Sequence, residues 1–386
     1  MEDIFEQELP YPESVTQLFS RFRQLELPVL LSSGSNLDIK ARYDIISAAP
    51  ATVLSTRGKQ THVKGAGAES FVSQSNPVDV LQDCFPWPQM NLAVPERFPF
   101  IGGAIGYLAY ELLHNDYRIE PSCHDDIQMP AMLFGIYHWA IVVDHQEQNC
   151  HLVILASCSA RIRETVLACL KSEAPSGPGE FHLSSRFQSN FSEPDYTLAF
   201  KKIIDYIHAG DCYQVNLAQR YSAEYAGDPF AAFIQLSHLA NAPFSAYLEA
   251  ESGAVLSFSP ERFLRVKNGQ VMTQPIKGTR SRHEEPGQDQ ALLQDLVNSK
   301  KDQAENLMIV DLLRNDLGRV CKTGSVHVPA LFQVQSFRNV HHLVSTIAGQ
   351  LQQGSDVFAL LKAGFPGGSI TGTPKIRAME IINELE

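Results

Sequence analysis

The chain lacks any apolar run approaching the ~18 residues that a membrane-crossing helix needs. Its first residues, Met1-Glu2-Asp3, are acidic, which argues against a signal or transit peptide. Seven cysteines (Cys84, Cys123, Cys150, Cys158, Cys169, Cys212 and Cys321) are scattered, odd in number and without a CxxC pair. That usage belongs to a reducing compartment rather than to a disulfide framework, so a cytoplasmic protein is expected. Zinc is not indicated, because Cys123-His124 and His341-His342 lack ligand spacing. Positive charge is also short: 31 Lys and Arg against 43 Asp and Glu leave a formal net charge of −12. His62 to Lys64 and Lys300-Lys301 are brief and flanked by neutral or acidic residues and make no basic patch, so a nucleic-acid partner is not expected. No internal repeat is visible.

With 386 residues, 44% of them apolar, the chain can bury a large core as one big domain or two. The one compositional break is Glu173-Ala174-Pro175-Ser176-Gly177-Pro178-Gly179-Glu180, a loop by its Pro, Gly and Ser content. It separates an N-terminal region, about 1–172, from a C-terminal region, 190–386. In the first, Ile136 to Val143 and His151 to Leu155 flank a polar turn and should pair antiparallel. In the second, Ser192-Glu193-Pro194-Asp195 is a capping box. The helix it opens carries Tyr196, Phe200, Ile203, Ile204 and Ile207 on one face and stops at Gly210. A strand follows, with Tyr213, Val215, Leu217 and Tyr221 on one side. Ser299-Lys300-Lys301-Asp302 opens another helix, ending at Gly318, whose Leu307, Val310, Leu313 and Leu317 have core spacing. A last helix begins at Thr373-Pro374. Helices and hairpins in this mixed order predict an α+β fold.

The pentapeptide Pro275-Ile276-Lys277-Gly278-Thr279 sets a lysine in a tight turn, and a strand should end there. A lysine is ordinarily a solvated surface cation; its company changes the reading. Ser259-Pro260-Glu261 closes the apolar run Ala254 to Phe258. An acid and an amine at the ends of two adjacent strands would set a general acid beside a nucleophile. Downstream, Phe365 to Lys375 is rich in glycine and small hydroxyls before a helix, a turn that can offer N–H groups to an anion.

These motifs resemble those of the chorismate-utilising enzymes, the anthranilate synthase component I superfamily. The resemblance runs through Gly210-Asp211-Cys212-Tyr213-Gln214-Val215-Asn216-Leu217-Ala218-Gln219-Arg220, Ala304-Glu305-Asn306-Leu307 and His341-His342-Leu343-Val344-Ser345-Thr346. It continues in Phe365-Pro366-Gly367-Gly368-Ser369-Ile370-Thr371-Gly372-Thr373-Pro374-Lys375, all in the family's order and over nearly the whole chain. It implies two large, mostly antiparallel sheets packed face to face with flanking helices, and chorismate bound in the C-terminal region. Lysine at position 277, where most members carry a small residue, marks the branch that makes 4-amino-4-deoxychorismate for para-aminobenzoate and folate. The alternatives within the family are anthranilate, isochorismate or salicylate synthesis. A non-catalytic chorismate- or tryptophan-binding protein is the alternative outside it.

The resemblance implies Glu261 and Lys277 as catalytic residues. Lys277, as neutral amine, would attack C2 of chorismate while Glu261 protonates the departing C4 hydroxyl; ammonia then enters at C4 and expels the lysine. A free lysine is neutral at pH 7 in well under about one molecule in a thousand, so burial must lower its pKa. Glu305, and less firmly Asp302, are implied Mg²⁺ ligands; a hard cation would offset a carboxylate of the dianionic substrate. On sequence alone both carboxylates suit a solvated first helical turn. Gly278, Thr279, Gly367, Gly368, Thr371, Gly372 and Lys375 are implied substrate contacts. His342 is either another or a satisfied core histidine. Ser33, Lys40, Tyr43, Pro243, Phe244 and Ser245 match a tryptophan pocket of related enzymes. The chain shows no amidotransferase signature, so ammonia is expected from a separate glutamine amidotransferase subunit. Relatives continue for several tens of residues past the helix containing Glu386, with further metal and substrate ligands. On that expectation residues 1–386 alone would not turn over chorismate and would tend to aggregate.

Overall fold

The computed structural model describes residues 4–34, 42–65, 70–85, 95–113, 116–120, 122, 125–173, 177 and 179–386. It is α+β: every strand pair in its sheets is antiparallel, and helices cover the sheets. The chain divides into two compact units, both discontinuous in sequence. The first holds residues 1–112, 126–184 and 225–260, and the second holds 113–125, 185–224 and 261–386. This differs from a cut at the 173–180 loop, and strand pairing gives the reason. The hairpin Phe244–Ala250 and Gly253–Ser259 joins the N-terminal sheet, with Ser245 opposite Ser32.

In the first unit, the larger sheet has the order Ile4–Leu9, Asn149–Leu155, Trp139–Asp144, Tyr43–Ser47, Val29–Ser32, Phe244–Ala250, Gly253–Ser259. Its interior strand Trp139–Asp144 is buried at all six positions. Trp139, Ile141 and Val143 pack with Phe19, Phe22, Phe230 and Phe233, whereas Ala140 and Val142 pack with Phe98 and Ile101 on the other face. A strand buried on both faces reads as a continuous apolar run. The expected pairing of this run with 151–155 is present, but the run is split at His138. Met132–Tyr137, before the split, belongs to a second, five-stranded sheet with Gly103–Leu108, Thr52–Arg57, Gln60–Gly65 and Phe71–Ser73.

In the second unit, the long strand Val340–Gln350 is the axis of the sheet. His327–Ser336 pairs along one side. Gln270–Gln274 and then Ile276–Ser281 pair in succession along the other. Pro275 has no N–H to give and interrupts what would otherwise be one strand. Helix Lys300–Gly318 packs Ile309, Val310, Leu313 and Leu317 against Val271 and Ile347. Its Asn306 is fully buried, donating to the Leu343 carbonyl at 3.1 Å and accepting from Ser345 Oγ at 2.5 Å. This polar pair fixes the rotation of the helix on the sheet, since a buried amide left unpaired would cost about 1–3 kcal/mol.

The N-cap half of each expected capping box forms: Ser192 Oγ accepts from Asp195 N at 3.2 Å, and Ser299 Oγ from Asp302 N at 3.3 Å, while the Asp302 carboxylate turns to Arg280. Gly210 ends helix Glu193–Ala209 in the left-handed conformation. Other expectations need correcting. Tyr196, Phe200 and Leu307 are exposed despite their spacing, because the packed face of the first helix runs through Ala199 and Ile203 and that of the second through Asn306, Ile309, Val310 and Leu313. The strand expected from Tyr213 to Tyr221 exists as two fragments, Gln214–Val215 and Tyr221–Ser222.

Candidate active site

Lys277 stands in a β-bulge. The pairing of Ile276–Ser281 with Val340–Gln350 jumps between Ile276↔Val344 and Thr279↔His342. Gly278 sits there at φ +93°. A Cβ at this position would lie 2.9 Å from Cβ of Asp302, so both backbone angle and space call for glycine. A bulge re-aims a side chain without ending the strand. The lysine therefore lies inside a strand, near its start, rather than at the end of one. Glu261 does not end a neighbouring strand either: it precedes Arg262–Lys267, which two strands separate from Ile276–Ser281 in the sheet.

The two residues nevertheless meet, and they meet at Ser369. Lys277 Nζ donates to the Ser369 carbonyl at 2.9 Å, and Ser369 Oγ donates to Glu261 Oε1 at 2.5 Å. Burial lowers the pKa of Lys277, opposed by the charges of Glu261 and Glu305. Burial raises the pKa of Glu261, opposed by the Ser369 hydroxyl, by Lys277 and by the Ile276 N–H. Desolvation thus draws an amine toward its neutral form and a carboxylic acid toward its protonated form within one cluster, the states that nucleophile and general acid need.

Thr279 and His342 face each other across the strands, Oγ1 to Nδ1 at 2.9 Å. Burial lowers the pKa of His342, and Phe337 packs edge-on to its ring. Glu305 is partly exposed, pairs with Lys301 of its own helix at 3.7 Å, and bears by its charge on Lys277. Asp302 is otherwise engaged, ion-paired with Arg280 at 3.0 Å. Among the described residues no three His, Cys, Asp or Glu side chains are grouped to hold a metal ion.

The glycine-rich segment owes its composition to close packing. A Cβ on Gly368 would lie 2.6 Å from Leu312, and one on Gly372 would lie 2.1 Å from the carbonyl of Gln214. Gly367 lies against the ring of Phe263. Thr371 is fully buried and turns its hydroxyl back to the carbonyls of Gly367 and Gly368. Lys375 is buried and bonded to Asp316 Oδ2 at 2.6 Å and to the Gly364 carbonyl at 3.0 Å, which leaves it committed away from Lys277. Sequence reasoning passed over Ser369 and Asn216. Asn216 Nδ2 donates to the carbonyls of both Ser369 and Thr371 at 3.1 Å. The available signal is the single serine after two glycines, one of several small hydroxyls in this turn.

In the first unit, Ser33, Tyr43 and the Pro243-Phe244-Ser245 segment come together at one end of three adjoining strands. Asp44 Oδ1 accepts from the Ser33 backbone N–H at 2.8 Å. Asp44 Oδ2 pairs with His145 Nε2 at 3.1 Å, and His145 Nδ1 lies 2.8 Å from the Tyr11 hydroxyl. The Ser245 hydroxyl is buried and donates to the Ala242 carbonyl at 2.9 Å. Lys40 lies outside the described residues.

A desolvated acid and amine held in one cluster suit acid-assisted group transfer, and comparison with known proteins gives the class. Residues 29–386 match the family described as chorismate binding enzyme, and the chain belongs to that family. Among curated proteins it is 46% identical to the aminodeoxychorismate synthase component 1 of Escherichia coli over 368 residues, 95% of this chain and 80% of that protein. It is 44% identical to the protein of the same name in Salmonella typhimurium, over 98% of this chain and 82% of that one. The crystal structure of anthranilate synthase component I from Streptococcus pneumoniae superposes with a TM-score of 0.78 at 30% identity, covering 91% of this chain and 79% of that one.

Proposed function

We propose that this chain aminates chorismate at C4, giving 4-amino-4-deoxychorismate for para-aminobenzoate and folate synthesis. The observation that carries the reading is the joint tethering of Lys277 and Glu261 to Ser369 in a desolvated site. Lys277 Nζ bonds to C2 of the ring, the ring electrons shift, and the C4–O bond breaks as Glu261 gives its proton to the hydroxyl, which leaves as water. Ammonia then bonds to C4, the electrons shift back, and the C2–N bond breaks to release Lys277. The ammonium formed at C4 supplies the proton that is returned to the site. The sum is chorismate plus ammonia to aminodeoxychorismate plus water.

Thr279 and His342 border Lys277 on the same strands and would contact the substrate, joined by the backbone of Gly278 and of the Gly367–Gly372 turn. Lys375, held by Asp316, is left out of this set. Glu305 would hold Mg²⁺, since a cation that keeps several waters can be held by one protein carboxylate and the substrate. The bound ion would neutralise a chorismate carboxylate. Asp302 serves Arg280 instead. The word "component" in the relatives' names accords with ammonia from a separate amidotransferase subunit. Ser33, Tyr43, Pro243, Phe244 and Ser245 would line a tryptophan site, filled permanently or used for regulation.

The experiment is product identification. Chorismate, ammonia and Mg²⁺ are supplied to the chain as its gene encodes it, and the product is resolved by chromatography. Amination at C4 supports the reading; anthranilate, from attack at C2, overturns it.

A further inference from the structure

Ser369 touches both reacting groups, yet it is neither the acid nor the nucleophile. Its hydroxyl donates to Glu261 Oε1 at 2.5 Å, and its carbonyl accepts from Lys277 Nζ at 2.9 Å. Three constraints hold it in place. Asn216 Nδ2 donates to the Ser369 carbonyl and, at the same 3.1 Å, to the Thr371 carbonyl two residues on. The segment Gln214–Val215 pairs antiparallel with Gly372–Thr373 just beyond. Before it, Gly367 packs against the Phe263 ring, and a Cβ on Gly368 would lie 2.6 Å from Leu312. One residue with one fixed peptide therefore relates the positions of two groups, Lys277 in a strand and Glu261 in the link before another.

We propose that Ser369 is the positioning residue of this site, which sets the separation and orientation of Glu261 relative to Lys277 through its hydroxyl and carbonyl together. The inference deepens the proposed reaction and rests on it for its kinetic consequence, though not for the contact itself. A displacement of about 1 Å in a reacting group can cost on the order of a hundredfold in rate. A hydroxyl bonded to one carboxylate oxygen limits that displacement and also favours the ionised form of the acid. Among the described residues, Lys277 bears by its charge on Glu261, and Glu261 and Glu305 bear on Lys277.

The test compares Ser369→Ala with Ser369→Thr, the second of which keeps a hydroxyl. Both keep the carbonyl. Glu261 is titrated by carbon-13 NMR of side-chain-labelled glutamate, with Glu261→Gln to assign its resonance. In Ser369→Ala, loss of the donor should move the Glu261 titration to higher pH, and turnover should fall about 10- to 100-fold with the chorismate KM within about twofold. The alkaline limb of the rate profile should move upward with the titration, because Glu261 acts in its protonated form. Ser369→Thr should restore both. An unmoved Glu261 titration in Ser369→Ala, or a threonine variant as impaired as the alanine one, overturns the proposal. The titration needs no turnover. A wild type that gives anthranilate, or no product, defeats the proposed reaction and leaves the positioning role to be judged by NMR.

Discussion

Lys277 and Ser369 are 92 positions apart in the chain, yet the lysine's terminal nitrogen donates to the serine's main-chain carbonyl. Because the acceptor is backbone, no side-chain substitution at Ser369 removes it. Lys277→Ala, by contrast, deletes the amine without opening a core cavity, since the side chain is only partly buried. The variant should fold and melt like wild type while amination of chorismate falls steeply. Mixing wild type with chorismate in the absence of ammonia should give an intact-mass adduct, and the alanine variant should give none. Burial lowers the amine's pKa, so amine-selective acylation should modify Lys277 at a lower pH than the surface lysines. Undiminished activity of the alanine variant would sink the covalent route.

Glu261→Gln keeps the shape and removes the proton that the leaving hydroxyl requires. Turnover should drop by about 10²–10⁴, the usual contribution of general acid catalysis, with chorismate binding nearly unchanged. Burial raises the pKa of Glu261, so the protonated, active form should persist above the ordinary carboxylate range. Activity should decline as pH rises through that raised value, and the limb should vanish in the glutamine variant. A defect confined to KM would assign Glu261 to substrate binding alone.

The Lys375–Asp316 pair has side chains only 8% and 4% exposed. Removing one partner of such a pair strands a buried charge, at about 3–5 kcal/mol. Lys375→Met should therefore destabilise the protein by that order in urea unfolding, and adding Asp316→Leu should recover much of it. A lysine that mainly binds substrate would instead show a raised chorismate KM and unchanged unfolding.

His145 has its pKa raised, chiefly by the hydrogen bond to Asp44. Its folded value thus lies above the unfolded one near 6.5. The stabilisation is complete below the unfolded value and is lost as pH rises through the folded one. Thermal melts of wild type should fall across that interval, whereas His145→Gln should be flatter. Equal slopes in the two proteins would show that the Asp44 contact does not discriminate the charged imidazole.

If tryptophan fills the site at Ser33 and Pro243-Phe244-Ser245, it should appear in the supernatant of denatured wild-type protein. Ser33→Phe should lack it. Should wild type hold none, and show no thermal shift when tryptophan is added, the site is not a tryptophan site.

Much of this was legible in the sequence, for physical reasons. Helix starts at Ser192 and Ser299 were readable because capping chemistry is local. The link between Ser-Pro-Glu and Pro-Ile-Lys-Gly-Thr was readable through family resemblance, and the structure joins the two motifs by a different route from adjoining strand ends. The bulge at Lys277-Gly278 was hidden because register depends on the partner strand. Ser369 was hidden because a hydroxyl in a turn gives no periodic signal. The ion pair of Lys375 was hidden for a related reason: its partner, Asp316, lies near the end of another helix and cannot be paired with it by spacing.

The strand Val29–Ser32 pairs with Tyr43–Ser47 on one side and with Phe244–Ala250 on the other. During synthesis the first partner follows at once, while the second emerges only after the stretch 185–224, which belongs to the other unit, has left the ribosome. Until then the nascent sheet keeps an open edge beside Ser33, a template for pairing with other chains. Cutting the gene at the 173–180 loop would make that transient edge permanent. A fragment ending there should be insoluble, whereas one that ends after Ser259 would carry both strands needed to close the edge.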